Sequence, residues 1–231
     1  MLAELAQTRA LPKHTAVVRI THWINSFSFL ALLSSGFAIL LAHPRLYWGE
    51  TGAFGSPALI ELPLPLNLDQ SGWGRSLHFL GAWICVLNGL VYVLSGLISH
   101  HFVTNMMPDR DEIAFGPMLH RVSDALHWRR SESESAKYNV MQRITYLSVV
   151  FVFFPLIILT GLAMSPAVTS LVPIIVRIFG GYQSSRTIHF FVTNLLVGFV
   201  IIHLAMVSLA GFWIRTRPMI LGNSARAKES L

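Results

Sequence analysis

Four of the ten histidines lie inside long apolar stretches, namely His22, His78, His189 and His203. The last two enclose the segment HFFVTNLLVGFVIIH, which has no charged residue between them. Fourteen residues of α-helix advance about 21 Å and complete about four turns. These two imidazoles therefore face the same side of a helix at two different depths. Ionisable groups in apolar surroundings are costly, so such imidazoles are candidates for binding a metal or moving a proton.

The composition of the chain indicates a membrane protein. Its 231 residues are 53% hydrophobic and 12% charged, whereas soluble domains carry about 25% charged residues. Four stretches are long enough to cross about 30 Å of hydrocarbon, which takes about 20 residues. They must be helical, because a strand edge in lipid leaves backbone groups unsatisfied, and Pro155 is expected to kink the third. The prediction is an all-α membrane protein, a four-transmembrane-helix bundle with spans at roughly 17–41, 76–98, 144–164 and 187–214.

The distribution of Lys and Arg predicts the orientation of the bundle. Thirteen of the 17 lie before the first span or at its start, between the second and third spans, or after the fourth. Because cytoplasmic segments carry most Lys and Arg, both termini and the middle connection are expected in the cytoplasm. This explains the net charge of +6 without a nucleic-acid partner. The sequence thus predicts a cytoplasmic segment 1–16, a transmembrane domain 17–214 and a cytoplasmic tail 215–231. Within the transmembrane domain, connections 43–73 and 165–185 are expected on the outer side and connection 99–139 on the cytoplasmic side.

The connections also contain segments with a predicted structure. VPIIVRIFGGYQ in the third connection predicts a short helix at the membrane interface, and FGPMLHRVSDALHWRR in the second predicts a basic amphipathic cytoplasmic helix. The first outer connection, rich in Gly, Pro and aromatic residues, is either a compact cap on the bundle or a docking surface for an extracytoplasmic partner. The single cysteine, Cys85, is expected to pack in the core and can form no disulfide within the chain.

The depths of the four histidines group them into two pairs. His22 lies about one turn inside the cytoplasmic edge, whereas His78 and His189 lie about one turn inside the outer edge. His203 is about 21 Å deeper than His189 and so is level with His22. Two imidazoles on either side of a flat macrocycle can ligate a low-spin haem iron. The pattern therefore predicts an inner haem at His22 and His203 and an outer haem at His78 and His189.

A structural zinc site is the competing interpretation. It needs four nitrogen or sulfur ligands around one point, whereas these histidines form two separate pairs and Cys85 stands alone. Any single one of them could also be a neutral side chain bonded to a neighbouring helix. Because the sequence has no C-x-x-C-H motif, a haem would be held without thioether bonds, as haem b.

An arginine precedes three of the histidines by three residues, in RITH, RSLH and RTIH. Arg19, Arg75 and Arg186 therefore lie on the same helix face, one turn nearer the membrane surface. There they could bind haem carboxylates or extend their head groups toward water as ordinary interfacial residues. Gly36, fourteen residues after His22, faces the level of the outer pair, where it either admits a flat cofactor or helps helices to pack.

This arrangement of histidines resembles the di-haem cytochrome b subunits of membrane-bound formate dehydrogenases and nickel–iron hydrogenases. One histidine on the first span, one on the second and two on the fourth, fourteen residues apart, carry the resemblance. Thiosulfate-reductase-type cytochromes b and bacterial b561-like cytochromes look similar too. The resemblance covers about residues 14–217 and implies two haem b groups, with the pairing that the depths also predict.

Two further segments carry parts of this resemblance. KYNVMQR is similar to the Asn-x-Gly-Gln stretch that borders the quinone in formate dehydrogenase subunits, with Met141 where glycine is usual. It implies that Asn139 and Gln142 hydrogen-bond a quinone near the inner haem, although Asn139 could equally cap the third helix. HPRLYWGETG looks like a subgroup that accompanies extracytoplasmic molybdopterin oxidoreductases of the sulfite-oxidase type.

The predicted function is electron transfer across a bacterial cytoplasmic membrane, between an extracytoplasmic oxidoreductase and the quinone pool. One alternative is a self-contained haem b enzyme linked to quinone, such as a superoxide oxidase or a ferric reductase. Another is a haem-free proton pathway or scaffold. A proton pathway would place polar groups across the whole bundle, whereas these histidines cluster at two levels with apolar residues between them.

Overall fold

The computed structural model describes residues 15–52, 56–64, 72–100, 102, 107, 140–209 and 211–222. Within these ranges, four helices are long and apolar enough to cross a membrane: Ala16–Ala42, Trp73–Ile98, Gln142–Ala163 and Tyr182–Leu209. The predicted helical membrane protein with four spans is therefore confirmed. The amphipathic helix predicted in the cytoplasmic connection lies outside the described residues, and so does Asn139.

The structure divides the described chain into eight helices and two very short strands. In chain order they are α1 Ala16–Ala42, β1 Arg45–Leu46, β2 Ile60–Glu61, α2 Trp73–Ile98, α3 Val140–Ser148, α4 Phe154–Ala163, α5 Pro166–Leu171, α6 Ile174–Ile178, α7 Tyr182–Leu209 and α8 Phe212–Leu221. A π-helical turn, Val149–Phe153, joins α3 to α4, and the three form the third span. The helix expected in the third connection is α6, and α5 precedes it.

The π-helical turn lies directly before Pro155. Proline has no N–H and cannot donate to the carbonyl four residues earlier, which weakens a regular helix at that point. The N–H of Phe154 bonds to the carbonyl of Val149, five residues back, as in a π-helix. The span therefore continues through the proline by widening locally.

The four spans form two hairpins, α1 with α2 and the third span with α7. Small residues let α1 and α2 approach closely, as is usual for helices in membranes. A Cβ atom placed on Gly81 would lie 3.3 Å from Cγ of Leu32. Asn88 Nδ2 donates to the carbonyl of Thr21 at 2.8 Å and to Oδ1 of Asn25 at 2.7 Å. These bonds fasten the first hairpin inside the apolar bundle.

Apolar side chains fill the bundle between the two depths at which the histidines lie. Val192 and Leu196, between His189 and His203 on α7, are buried and form one cluster with Val149. Partly buried apolar residues surround this cluster, namely Phe29, Phe153, Phe154, Leu156, Ile157, Ile188 and Phe199. Many large apolar side chains on the outside of the bundle are exposed, as lipid-facing residues are expected to be. The middle of the bundle is thus apolar both inside and outside.

The first outer connection contains a short antiparallel strand pair. Arg45 lies opposite Glu61 and Leu46 opposite Ile60. The side chains of Arg45 and Glu61 also form an ion pair at 2.8 Å, on the exposed side. Leu46, on the other side, is only 1% exposed. The connection therefore has an inner face and an outer face.

Residues 43–50 of this connection, here called the outer cap, rest on the start of α7. The carbonyl of Gly49 accepts hydrogen bonds from the N–H groups of Gln183 and Ser184. The N–H of Gly49 donates in turn to Oγ of Ser184 at 2.8 Å, and Oγ1 of Thr187 donates to the carbonyl of Tyr47 at 2.7 Å. The first N–H groups of a helix have no partner within it. The outer cap supplies partners to three of them, because the carboxylate of Glu50 also accepts from the N–H of Tyr182.

The fourth span ends earlier than its hydropathy suggests. Gly211 has φ of +91°, in the region that favours glycine. The chain turns there, so that α7 ends at Leu209 and α8 begins at Phe212. The boundary between span and tail that the sequence analysis placed after residue 214 falls inside α8.

The C-terminal end of α8 contacts the N-terminal end of α1. The last carbonyl groups of a helix lack partners within it. Trp23 Nε1 donates to the carbonyl of Met219 at 3.2 Å, and the guanidinium of Arg19 donates to that of Ile220 at 3.5 Å. A cation at this end of a helix is also favourable because of the helix dipole. Two side chains of α1 thus hold α8 in place.

Candidate functional site

The structure brings the four histidines together as two pairs. His22 on α1 and His203 on α7 have ring centroids 6.5 Å apart, with their planes inclined by 53°. His78 on α2 and His189 on α7 have ring centroids 6.3 Å apart, with their planes inclined by 60°. These are the pairs that the depth argument predicts. Both pairs take one member from α7 and the other from the first hairpin.

The gap within each pair has the size that one metal ion requires. Imidazole–metal bonds of about 2.0–2.1 Å, with about 1.1 Å from nitrogen to ring centre, place two opposed ring centres about 6.3 Å apart. The observed 6.3 and 6.5 Å match this separation. Within the described ranges no group of three or more His, Cys, Asp or Glu side chains could hold a metal ion. Two-ligand sites suit a macrocycle-bound iron better than tetrahedral zinc.

Hydroxyl groups contact both imidazoles of the outer pair. Ser35 Oγ on α1 lies 3.1 Å from Nδ1 of His78, and Thr160 Oγ1 on α4 lies 3.0 Å from Nδ1 of His189. Each histidine is thus held by a residue of the other helix in its own hairpin. Both contacts involve Nδ1, so the hydroxyls do not use Nε2 of either ring.

A glycine follows each of these hydroxyl residues and lies against the same imidazole. A Cβ atom on Gly36 would be 3.4 Å from Cε1 of His78. One on Gly161 would be 3.6 Å from Cε1 of His189. Both glycines therefore bring the backbone of one helix close to the imidazole of its neighbour. For Gly36 this is the close approach, at the outer level, that its spacing predicts.

Aromatic side chains surround the inner pair instead. Phe199 stacks on His203 with ring centroids 5.9 Å apart and planes inclined by 23°. The hydroxyl of Tyr146 lies 3.5 Å from Nδ1 of His203. Trp23 meets His22 edge-on at 5.5 Å. Aromatic rings thus contact both histidines of the inner pair.

Positive groups gather at the outer end of the bundle. The guanidinium of Arg186 donates a hydrogen bond to the carbonyl of His43. Burial and, to a lesser extent, the charges of Arg186 and Arg75 hold the pKa of His43 below its usual value. Of the two carboxylates in the described ranges, Glu61 pairs with Arg45 and Glu50 accepts from the N–H of Tyr182. In the described ranges, this end of the bundle therefore carries more positive than negative charge, with Arg45, Arg75 and Arg186 against Glu50 and Glu61.

The other residues selected from the sequence lie in different surroundings. Arg19 binds the end of α8, as described above, so its guanidinium contacts protein carbonyl groups. Gln142 lies near the start of α3 and is half-buried, one turn from Tyr146, which contacts His203. Asn139, the other candidate for binding quinone, lies outside the described residues.

A family comparison assigns the chain. The family model for prokaryotic cytochrome b561 matches residues 13–222. The chain belongs to the prokaryotic cytochrome b561 family. This cytochrome is 29% identical over 199 residues, which is 85% of this chain and 90% of the other, to a putative protein-methionine-sulfoxide reductase subunit YedZ1 of Azospira oryzae. No solved structure matches it. The cytochrome is therefore a haem b membrane protein that transfers electrons.

Sequence reasoning missed several residues that the structure places at the two sites. Ser35, Thr160 and Gly161 line the outer pair, Tyr146 lies beside the inner pair, and His43 lies at the outer positive end. A local signal was present, since the dipeptides Ser-Gly and Thr-Gly occur inside apolar spans. Only the packing of the helices shows which histidine each dipeptide contacts.

Proposed function

We propose that this cytochrome is a di-haem b membrane anchor that carries electrons between an extracytoplasmic oxidoreductase and the quinone pool. The observation that carries the proposal is the pair of histidine sites, with ring centroids 6.3 and 6.5 Å apart, at the two ends of one bundle. On α7 the two sites are fourteen residues apart, or about 21 Å along the helix. A chain of two carriers at these depths spans most of a core about 30 Å thick.

The chain's own residues would hold, orient and enclose the two groups. His22 and His203 are the ligands of the inner haem, and His78 and His189 those of the outer haem. When bound, haem b supplies one-electron exchange at its iron. The apolar cluster of Val149, Val192 and Leu196 separates the two levels and keeps water out between them. Arg75 and Arg186, at the outer positive end, favour carboxylates of the outer haem there.

The quinone site is proposed at the inner end of the bundle. The Lys and Arg distribution supports cytoplasmic termini, which puts His22, His203 and the start of α3 on the cytoplasmic side. We assign to Gln142, one turn from Tyr146, the role of hydrogen-bonding a quinone carbonyl close to the inner histidines; its half-buried position and the contact of Tyr146 with His203 support this. Asn139 completes this site by resemblance. Protons released or taken up by the quinone would exchange with the cytoplasm.

The partner is proposed to dock on the outer face of the first outer connection. Its inner face is used by the bundle, but Trp48 is 59% and Leu59 57% exposed. The similar protein of Azospira oryzae is named as a subunit of a reductase of protein methionine sulfoxide. Such a reduction consumes two electrons and two protons and yields a thioether and water, whereas oxidation of a quinol releases two of each. Electrons would then run outward, to a partner that resemblance suggests is a molybdopterin enzyme.

Optical spectroscopy of the purified cytochrome tests the di-haem proposal. We expect a reduced-minus-oxidised spectrum of haem b and, from the pyridine haemochrome, two haems per chain. One haem per chain would contradict the two-site arrangement, and a haem-free chain would favour the scaffold alternative. Addition of a quinol under anaerobic conditions should reduce the haem in the wild type and do so more slowly in Gln142→Ala.

Purification from the native membrane separates the partner model from a self-contained enzyme. Under the partner model, a second, extracytoplasmic polypeptide co-purifies in a fixed ratio. Exchange of Trp48 for Asp should release this polypeptide and leave both haems in place. A chain that purifies alone from native membranes, and that oxidises superoxide or reduces ferric iron with quinone as the co-substrate, would overturn it.

A further inference from the structure

The most regular feature that the proposed function leaves unused is the pair of buried hydroxyls at the outer site. Ser35 and Thr160 are both 0% exposed. They belong to different hairpins, α1 and α4, yet each lies about 3 Å from Nδ1 of one outer histidine, at 3.1 and 3.0 Å. Each is followed by a glycine that lies against the same ring. The same local arrangement therefore occurs twice, once on each side of the outer site.

The direction of these hydrogen bonds follows from a count of protons. A hydroxyl has one proton to donate. Ser35 Oγ donates its proton to the carbonyl of Ala31 at 2.6 Å, and Thr160 Oγ1 donates to that of Leu156 at 2.8 Å. With its proton on that carbonyl, each hydroxyl offers the imidazole a lone pair, and the hydrogen then lies on Nδ1. The backbone carbonyls of Leu32 and Ile157 also hydrogen-bond His78 and His189, respectively, so each hydroxyl acts together with one carbonyl of its own helix. In a neutral imidazole the other nitrogen, Nε2, is then a bare acceptor that can ligate a metal.

We propose that Ser35 and Thr160 are positioning residues that fix the Nδ1–H tautomer of His78 and His189 and so present both Nε2 atoms to the outer haem iron. The inference rests on the proposed function, which assigns these two histidines to the outer haem. It adds a difference between the two sites, namely a hydroxyl within hydrogen-bond distance of Nδ1 of each outer histidine. At the inner site the corresponding hydroxyl, that of Tyr146, is 3.5 Å from Nδ1 of His203, at the limit of a hydrogen bond.

The bond also has an electronic consequence for the ligand. A hydrogen bond from Nδ1–H to an acceptor makes the other ring nitrogen a stronger base. A stronger base stabilises ferric iron more than ferrous iron, so second-shell hydrogen bonding is one of the means by which a protein lowers a haem potential. The midpoint potential of the outer haem is therefore expected to be lower with the two hydroxyls present than with them removed.

Redox titration of the full-length cytochrome in detergent, followed optically, tests the proposal. The variants are Ser35→Ala, Thr160→Val and the double variant, since valine keeps the shape of threonine without its hydroxyl. We expect one of the two midpoint potentials to rise in each single variant and to rise further in the double variant, while the other midpoint stays unchanged. Thr160→Ser, which restores the hydroxyl, should return the wild-type midpoint. Ser34→Ala is the matched control, because within the described residues the hydrogen bonds of that hydroxyl go to carbonyls of its own helix.

Each other outcome has a definite meaning. A double variant that titrates as the wild type overturns the proposal, and so does an equal shift of both midpoints. Should Thr160→Val lose one haem, its retention in Thr160→Ser would support the role of the hydroxyl, whereas loss in both variants would overturn that role, because the hydroxyl of the serine variant then fails to restore the haem. A wild type that holds fewer than two haems refutes the proposed function itself, before any variant is compared.

Discussion

Tyr146 and Thr160 are fourteen residues apart on the third span, the same interval that separates His189 from His203 on α7. Thr160 contacts Nδ1 of His189 and Tyr146 contacts Nδ1 of His203. The two spans run in opposite directions, so equal intervals bring both contacts into reach. The third span thus contacts both histidines of α7. The distance from Thr160 to His189 is 3.0 Å, whereas the distance from Tyr146 to His203 is 3.5 Å.

Removal of one histidine from each level should remove one haem and spare the other. We expect His203→Ala and His189→Ala each to hold about one haem per chain, because a single remaining imidazole is a weaker anchor than a pair. The two variants serve as controls for each other. Each should retain a different one of the two wild-type midpoint potentials. If both variants lose the same spectral component, the pairing is wrong.

Gly161→Val should weaken binding of the outer haem. The Cβ of the new side chain would already lie 3.6 Å from Cε1 of His189, and its two methyl groups would extend into the space of the imidazole. We expect the haem content to fall toward one per chain, with the inner haem retained. Gly198→Val is the matched control on α7, since a Cβ there meets no atom of the described residues within 4 Å. Full haem content in Gly161→Val would contradict the close packing of this site.

Trp23→Phe should loosen the attachment of α8 to α1. The change removes the hydrogen bond from Nε1 to the carbonyl of Met219, and such a bond contributes about 0.5–1.5 kcal/mol. We expect the midpoint of thermal unfolding, followed by circular dichroism, to fall by about 2–4 °C. Trp213→Phe serves as the control, because Trp213 on α8 is 72% exposed. An equal loss of stability in both variants would show that α8 is not held through Trp23.

The outer end of the bundle should lose stability in mild acid because of His43. Its pKa is held below the usual value by burial and by the charges of Arg186 and Arg75. The unfolded chain therefore binds more protons than the folded one between the two pKa values, and stability falls as the pH drops below about 6.5. His43→Gln, which stays neutral, should flatten the dependence of the unfolding midpoint on pH, and Arg75→Gln should reduce it. A slope that is unchanged in His43→Gln would contradict this cause.

Much of the fold follows directly from the sequence, because hydropathy fixes the spans and the helical repeat fixes the depth of each histidine. Depth alone predicts that His22 pairs with His203 and that His78 pairs with His189. This prediction does not require knowing which helices are adjacent in the bundle. The contacts of Ser35 and Thr160 could not, since they depend on how neighbouring helices cross. The turn at Gly211 escaped prediction because apolar residues continue past it, so that hydropathy there gives no sign of a break.

In the proposed di-haem arrangement, the division of the histidine ligands between the hairpins has a consequence for biosynthesis. During synthesis, α1 and α2 enter the membrane first and can pack against each other, but they provide only one imidazole to each site. The second imidazole of both sites arrives with α7, the last span. Neither site can be completed before nearly the whole chain has been inserted, and each bound haem then ties the early hairpin to the late one. Only a fully inserted chain therefore provides both histidines of each pair, and an incompletely inserted chain is expected to bind no haem.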